Sequence, residues 1–217
     1  MISKTIIDTV QYEETNQELV TSEQARLSTG QGLDQAHLLH LYKLCDRLEF
    51  SYEFGRGTHW LGEEGLNYKY ANKNHIAQGW HSYSIEDLTE SMRLLSIEYG
   101  FASPGDDLYN HLLINQYLPK QRLNMHRDDE PQLTGPIASL SLGASSVFTY
   151  GVTRSVGAGK KVTLKHGDLM LGSREFFNEY YHSVAPIKYS DKLQYPTRPP
   201  LYPVRYNLTW RTIRSDS

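Results

Sequence analysis

The segment around His126 carries residue types that could bind a metal ion. His126 and Asp128 are two positions apart, so in an extended chain both side chains leave the same face. A second histidine would complete a site of two histidines and one carboxylate, which suits a divalent metal such as non-haem Fe(II). The alternative is a loop histidine beside solvated acids, because the His-x-Asp pattern is short and the chain has 9 histidines.

Three other histidines could supply the second imidazole. His182 lies between aromatic and small residues at the start of an expected strand, far enough after Asp128 for the chain to cross a β-domain and return. His166 falls in a glycine-containing turn, and His111 lies on a strand that shares its face with other polar residues. We therefore favour His182 as the second histidine and keep His111 as a weaker candidate.

The last expected strand, residues 203–212, places two arginines on one face. Arg205, Asn207 and Arg211 alternate with apolar residues, so one face is apolar and the other holds both guanidinium groups. Burying unpartnered guanidinium groups is costly, so an inward polar face would need an anionic ligand. Arginine can bind a carboxylate through two parallel hydrogen bonds, and two arginines could hold the two ends of a short dicarboxylate. The alternative is an exposed edge strand with solvated arginines.

A mainly β domain with flanking helices (α+β) would position these residues. Hydrophobic spacing predicts helices at residues 34–48 and 85–99, the second capped by Ser84. After residue 103 the chain consists of short strands separated by glycine-containing turns, which favours a jelly-roll sandwich or barrel. The expected strands are residues 109–118, 137–142, 147–150, 161–165, 168–171 and 203–212.

The chain before this β region divides into two further parts. Residues 1–32 are polar and are expected to form a loosely ordered arm, with a short strand at residues 5–10. Residues 50–84 are rich in glycine and aromatic side chains and too polar for a core, so we expect a surface flap. An irregular sheet edge with ordinary packing aromatics is equally compatible with this composition. We expect one domain over residues 33–213.

The composition limits the function classes. A chain of 217 residues with 39% hydrophobic and 22% charged residues suits one globular domain with a sizeable core. Cys45 is the only cysteine, which excludes an internal disulfide and a cysteine-based zinc site. We find no signal peptide or membrane span and expect a soluble intracellular protein, cytoplasmic or nuclear. The net charge of -3 neither supports nor excludes a nucleic-acid partner.

Taken together, the polar residues occur in the order found in one enzyme family. The chain resembles the AlkB family of Fe(II)- and 2-oxoglutarate-dependent dioxygenases, with a similarity that covers about residues 33–213 and is strongest after residue 110. The matching motifs are Asn115-x-Tyr117, His126-x-Asp128, residues 136–143, His166-Gly-Asp168, His182 and Arg205-x-Asn207-x-x-x-Arg211.

The resemblance implies a double-stranded β-helix (jelly-roll) core that binds Fe(II), 2-oxoglutarate as cosubstrate and O2. Its implied metal ligands are His126, Asp128 and His182. Its implied cosubstrate residues are Asn115, Tyr117, Arg205, Asn207 and Arg211. Arg205 would pair with the distal carboxylate of 2-oxoglutarate, and Arg211 would be part of the catalytic set together with the metal ligands.

The resemblance also implies a substrate: 1-methyladenine or 3-methylcytosine in DNA or RNA, oxidised with release of formaldehyde, succinate and CO2. The base must leave the stack to reach the metal, so residues 50–84 would form a nucleotide-recognition lid. The implied substrate-binding residues are Trp60, Tyr68, Tyr70, Asp129 and Glu130. The two acids directly follow Asp128, whereas the bacterial prototype has an extra residue there, so which acid meets the substrate stays open. We expect a monomer that binds no membrane.

Two other functions are compatible with the sequence. The same core could hydroxylate a protein or a small molecule, or the chain could bind nucleic acid without catalysis. Basic residues near the site could contact phosphates, or they could be scattered solvated charge. These residues are Lys120, Arg122, Arg127, Lys160, Lys161 and Arg174.

Overall fold

The computed structural model describes residues 13–14, 25–31, 33–70, 73–83, 85–191 and 202–214. Its α-helices are α1 (Gln35–Cys45), α2 (Glu86–Glu98) and α3 (Arg174–Glu179). Its strands are β1 (Glu13–Glu14), β2 (Leu27–Gln31), β3 (Gly57–Gly62), β4 (Asn67–Tyr70), β5 (Lys73–Ile76), β6 (Gln78–Gly79), β7 (His111–Tyr117), β8 (Leu123–His126), β9 (Leu133–Gly143), β10 (Ser146–Gly151), β11 (Lys160–Leu164), β12 (Asp168–Gly172), β13 (Tyr181–Val184) and β14 (Arg205–Ile213).

Two β-sheets form the centre of the molecule, which confirms the predicted jelly-roll fold class. The large sheet has the strand order β1-β2-β12-β9-β14-β7-β3-β6, and the small sheet has the order β11-β10-β13-β8. One hydrophobic cluster contains side chains from both sheets, so the sheets pack face to face. Its members include Tyr117, Ile137 and Met170 from the large sheet, and Phe148, Leu164 and Val184 from the small one.

Two helices cover the other face of the large sheet. The apolar positions of β14, Tyr206, Leu208 and Trp210, are fully buried and share one core cluster with residues of α1 and α2. The alternation in β14 therefore separates a helix-packed apolar face from the polar face that looks toward the small sheet. Asp34 caps α1 by accepting a hydrogen bond from the His37 amide at 2.9 Å.

The boundaries of most elements lie close to the predicted ones, but β9 begins at Leu133 rather than at residue 137. The expectation of strands and turns alone after residue 103 was wrong for residues 174–179, which form α3. A further difference concerns the start of α2. The residue that caps α2 is Ile85, which makes no side-chain capping hydrogen bond, and Ser84 lies outside the described residues. Acidic side chains occupy the first turn of α2, where the helix dipole favours negative charge. No helix in the described ranges is long and apolar enough to cross a bilayer.

Two expectations about the first third of the chain were wrong in part. Residues 27–31, expected in a loose arm, form β2, which pairs with β12 inside the large sheet, and Leu27 is buried. The strand expected at residues 5–10 lies outside the described residues. Residues 57–62, expected in a surface flap, form β3, whose six residues are all buried between β7 and β6. Both faces of β3 are covered, so its polar composition did not indicate exposure.

Candidate active site

Two adjacent strands of the small sheet bring the three predicted metal ligands together. His126 ends β8, and its Cα pairs with that of His182 on β13. Asp128 follows two residues later, and its backbone N–H donates to the Phe177 carbonyl at 3.2 Å. One donor atom from each of the three side chains lies within 4.8 Å of the other two. The structure thus places the predicted ligand set in one cluster.

Backbone carbonyls leave one ring nitrogen of each histidine available to a metal. The Nδ1 atom of His126 lies 2.9 Å from the Asn124 carbonyl oxygen and 3.1 Å from that of His182. The Nδ1 atom of His182 lies 3.4 Å from the Tyr180 carbonyl oxygen. Because a carbonyl oxygen only accepts hydrogen bonds, the neutral rings carry their hydrogen on Nδ1. Each Nε2 atom therefore keeps a lone pair, as a metal ligand requires.

Asp128 is ionised although it is buried. Burial raises the pKa of its carboxyl group, but the charges of Arg211 and of the two histidines lower the pKa by more, well below its usual range. The Nη2 atom of Arg211 donates to Oδ2 of Asp128 at 3.2 Å. Oδ1 has no hydrogen-bond partner within the described part of the chain. Asp128 therefore offers an anionic oxygen that a cation could occupy.

The two histidines differ in how readily they take up a proton. Burial, together with the charge of His126, lowers the pKa of His182 to about 3. Burial also lowers the pKa of His126, but the Asp128 carboxylate, whose Oδ1 atom lies 3.5 Å from Nε2, outweighs that effect and raises it. His182 is therefore neutral near pH 7, in the state that binds metals.

The polar face of β14 lies opposite polar residues on both neighbouring strands. Arg205 pairs with Tyr117 on β7, and Asn207 lies between Asn115 on β7 and Ser141 on β9. Arg205 Nη2 donates to Ser141 Oγ at 3.0 Å. Arg205, Asn207 and Asn115 line the same cavity as the three metal ligands. The prediction of an inward polar face is confirmed by this geometry.

The guanidinium group of Arg205 has fewer partners than it can bind. Arg205 is 1% exposed, and burial lowers its pKa. Neither its Nε nor its Nη1 atom has a hydrogen-bond partner in the described segments, and the same holds for the Tyr117 hydroxyl. The guanidinium carbon lies 5.3 Å from the centroid of the Tyr117 ring. Because an unpaired buried cation is unfavourable, this end of the cavity suits an anionic ligand.

Comparison with known proteins identifies the family. The family model of the 2OG-Fe(II) oxygenase superfamily matches residues 14–211. The chain belongs to this superfamily. The superfamily implies Fe(II), 2-oxoglutarate and O2, and the residues present fit the first two. The free Nε2 atoms and the unpartnered oxygen of Asp128 fit the metal, and the unpartnered donors of Arg205 fit a carboxylate of 2-oxoglutarate.

Individual relatives confirm the resemblance to AlkB. The alpha-ketoglutarate-dependent dioxygenase AlkB of Salmonella typhimurium is 37% identical over 120 residues, which cover 55% of this chain and 51% of that protein. AlkB of Escherichia coli K12 is 37% identical over 100 residues, covering 46% and 43% respectively. The chain thus spans about half the length of these relatives. The solved structure of OsALKBH1 shares the fold, with a TM-score of 0.61 and 19% identity over 88% of this chain and 99% of that chain.

The predicted aromatic substrate residues of this oxygenase lie in two settings. Trp60 on β3 is 9% exposed and stacks on His75, with ring centroids 4.4 Å apart and an interplanar angle of 17°. Tyr68 on β4 is fully buried against Trp60. Tyr70 is half-buried and lines the cavity. Of these three side chains, only that of Tyr70 lines the cavity, and Trp60 belongs to the sheet rather than to a flap.

The two acids after Asp128 differ in environment. Asp129 is exposed and pairs with Arg127, with 3.0 Å between Nη2 and Oδ2. Glu130 is half-buried, and its Oε2 atom has no hydrogen-bond partner among the residues that the structure describes. Burial and the negative charge of Asp128 raise the pKa of Glu130. Glu130 is therefore the acid with an unsatisfied polar atom facing the protein interior.

The other candidate histidines make no contribution to the metal cluster. His166 accepts a hydrogen bond from the Gly143 amide at 2.9 Å in the turn before β12, as expected of a turn residue. His111 is buried among Trp60 and Tyr68, where burial, with the charge of Arg211, lowers its pKa to about 3. The preference for His182 over both is supported by this geometry.

Two arginines of the site were not predicted in these positions. Arg56 is 3% exposed, lines the cavity, and donates from Nε to Oδ1 of Asn115 at 2.7 Å. Arg174, considered above as a phosphate contact, directs its guanidinium group to the carbonyls of Asp128 and Glu130. Neither position follows from local periodicity. The glycines on both sides of Arg56 are the only sequence signal of a tightly packed site there.

Proposed function

We propose that this chain is an oxidative demethylase that removes alkyl groups from base nitrogens in DNA or RNA. The observation that carries the proposal is one cavity lined both by the three metal ligands and by the unsatisfied Arg205. Oxidation by a 2-oxoglutarate oxygenase requires a metal and an anionic cosubstrate side by side. The choice of nucleic acid as substrate is supported by the resemblance to AlkB.

The metal ligands would act through atoms that are already positioned. His126 and His182 would bind Fe(II) through Nε2 and Asp128 through its carboxylate, leaving open positions for 2-oxoglutarate and O2. When bound, these reagents supply the oxidation, in which 2-oxoglutarate becomes succinate and CO2 and one oxygen atom is transferred to the substrate. The protein holds both imidazoles in the required tautomer through backbone carbonyls. Arg211 keeps Asp128 anionic.

Residues of β14 and β7 that line the cavity would hold the cosubstrate. Arg205 would donate its free Nε and Nη1 hydrogens to the distal carboxylate of 2-oxoglutarate. The Tyr117 hydroxyl, which has no partner among the described residues, and the side chain of Asn115 would supply further hydrogen bonds at the same end. Asn207 would support the site from behind, because its NH2 group donates to Ser139 Oγ at 2.6 Å and to the Leu140 carbonyl at 3.3 Å.

The product of this oxidation would break down without further help from the protein. Hydroxylation of a methyl group on a base nitrogen gives a hemiaminal. Its hydroxyl proton leaves, the C–N bond breaks, and the electron pair returns to the base as formaldehyde is released. The methylated base must leave the helical stack to reach the metal. Tyr70 and Glu130 are the candidate contacts for that flipped base, with Trp60 and Tyr68 packed behind Tyr70.

A demethylation assay tests the proposal. Matched DNA and RNA oligonucleotides that carry 1-methyladenine or 3-methylcytosine are incubated with the protein, Fe(II), 2-oxoglutarate and air, and their masses are measured. We expect loss of the methyl group only when all components are present. Succinate formation without demethylation would favour a protein or small-molecule hydroxylase. No succinate at all would favour a binding module.

A matched pair of histidine variants checks the metal assignment. His182→Ala should abolish turnover, because it removes a buried ligand atom. His40→Ala should retain it, because His40 is exposed on α1, far in sequence from the cluster. Retained turnover in His182→Ala would contradict the proposed metal site.

A further inference from the structure

Arg56 occupies a tightly packed position at the start of β3. It lies between Gly55, whose φ is +72°, and Gly57. A Cβ atom on Gly57 would come within 3.0 Å of the Cβ atoms of Gln116 and Phe50, so the backbone of β3 approaches β7 closely. This approach brings the Arg56 side chain beside Asn115, the β7 residue that pairs with position 58. The arginine is 3% exposed and lines the cavity.

The contact between Arg56 and Asn115 fixes the orientation of an amide. The Nε–H group of Arg56 lies 2.7 Å from the Asn115 side chain. Because a guanidinium N–H only donates, the amide atom that faces it is the oxygen, and the amide NH2 group points away from Arg56. Asn115 is itself 3% exposed and lines the cavity. The amide is therefore held as a donor toward the rest of the cavity.

Arg205 lies at the same end of the cavity as Arg56 and Asn115. The Arg205 guanidinium carbon lies 5.3 Å from the centroid of the Tyr117 ring, and Arg56 contacts Asn115, which shares a face of β7 with Tyr117. Neither arginine forms an ion pair with a carboxylate in the described ranges, whereas Arg211 pairs with Asp128. The unpaired guanidinium group of Arg205 favours a ligand with a carboxylate at this end, next to the Asn115 amide that Arg56 holds.

We propose that Arg56 is a positioning residue for the cosubstrate. This role rests on the function proposed above. Arg56 locks the Asn115 amide with its NH2 group toward the distal carboxylate of 2-oxoglutarate. Without Arg56, the amide is free to turn its oxygen toward that carboxylate, which replaces attraction by repulsion. Arg56 thereby contributes to selection of a 2-oxo dicarboxylate over a 2-oxo monocarboxylate.

Calorimetric titration of 2-oxoglutarate into the Mn(II)-loaded protein without turnover tests this role. We expect Arg56→Met to weaken binding by about 10- to 100-fold, the range expected for a hydrogen bond that involves a charged group. Asn115→Ala should weaken binding to a similar degree. The double variant should bind within about 3-fold of Asn115→Ala, because Arg56 acts through Asn115. Additive losses, or unchanged binding in Arg56→Met, would overturn the proposal.

Two further measurements separate positioning from a general loss of structure. The affinity for Mn(II) alone should stay within about 3-fold in Arg56→Met, since Arg56 contacts none of the metal ligands. The affinity for 2-oxopentanoate, which lacks the distal carboxylate, should be equal in wild type and variant. Equal weakening for both acids would overturn the proposal. If Arg56→Met does not fold, Arg56→Lys serves instead, and we expect an intermediate loss of 2-oxoglutarate affinity.

The wild-type titration keeps this test distinct from the proposed function. Failure of wild-type protein to bind 2-oxoglutarate at all would contradict the cosubstrate site itself. Binding by wild type with no change in Arg56→Met would contradict only the role of Arg56.

Discussion

Asp128→Asn is the substitution that examines the electrostatics of the site most closely in the metal-free protein. Asp128 is 2% exposed and Arg211 is 6% exposed, and they form an ion pair with 3.2 Å between Nη2 and Oδ2. Asparagine keeps the shape of aspartate but removes its charge. Arg211 would then be a buried cation that has lost its anionic partner, and its Nε and Nη1 atoms have no hydrogen-bond partner in the described structure to compensate.

The magnitude follows from the burial of this pair. Removing one partner of a buried ion pair lowers the free energy of unfolding by about 3–5 kcal/mol. For a domain of this size, each kcal/mol shifts Tm by about 2–4 °C, so the metal-free variant should melt about 6–20 °C lower than wild type. Asp128→Asn/Arg211→Met removes both charges and should recover most of that loss, since apolar replacement of a buried pair is often close to neutral.

Thermal and denaturant unfolding with and without Mn(II) checks these values. Wild type should gain stability with Mn(II), by about 2.7 kcal/mol at 100 times Kd. Asp128→Asn should gain almost none, because it lacks the anionic ligand. The reasoning is refuted if metal-free Asp128→Asn is as stable as wild type, or if the added Arg211→Met change gives no recovery.

Three further substitutions are expected to change ligand affinity, metal affinity or stability, and one of them should raise the stability of the ligand-free protein. Arg205→Met should weaken 2-oxoglutarate binding by about 100-fold in calorimetry. It should also raise the Tm of the ligand-free protein, because it removes an incompletely paired buried cation. A lower Tm than that of wild type would contradict this expectation. Arg174→Met should weaken Mn(II) binding by about 10- to 100-fold, because the Arg174 guanidinium group donates a hydrogen bond to the carbonyl of Asp128. An unchanged Mn(II) affinity would contradict that role. Gly143→Ala should lower the free energy of unfolding by about 2 kcal/mol or more. The reason is that Gly143 has φ +82° and that a Cβ atom would lie 2.2 Å from the Val204 carbonyl oxygen. An unchanged midpoint in urea unfolding would contradict this expectation.

Local periodicity was enough to predict the faces of the strands. The period of two in β14 placed Arg205 and Arg211 on one face and Trp210 on the other, and the structure has the same division. The same rule joined His126 with Asp128. Side-chain direction along a strand depends only on position within that strand, so the sequence determines it directly.

The pairing of strands that are distant in sequence could not be predicted from local periodicity. The contact between Arg56 and Asn115 depends on β3 lying against β7, and no pattern within either strand specifies that neighbour. Trp60 was assigned to a surface flap because its strand is polar and shows no alternation. Both faces of β3 are buried, one toward the helices and the other toward the aromatic cluster, and burial on both faces removes the usual period-two signal.

The coupling of succinate to formaldehyde tests the central claim most directly. Both products are measured in one reaction with Fe(II), 2-oxoglutarate, air and an oligonucleotide that carries 3-methylcytosine. The proposed function predicts equal amounts of the two products, and little succinate when the oligonucleotide is unmethylated. Succinate formed at the same rate with and without the methyl group, and no formaldehyde, would contradict it.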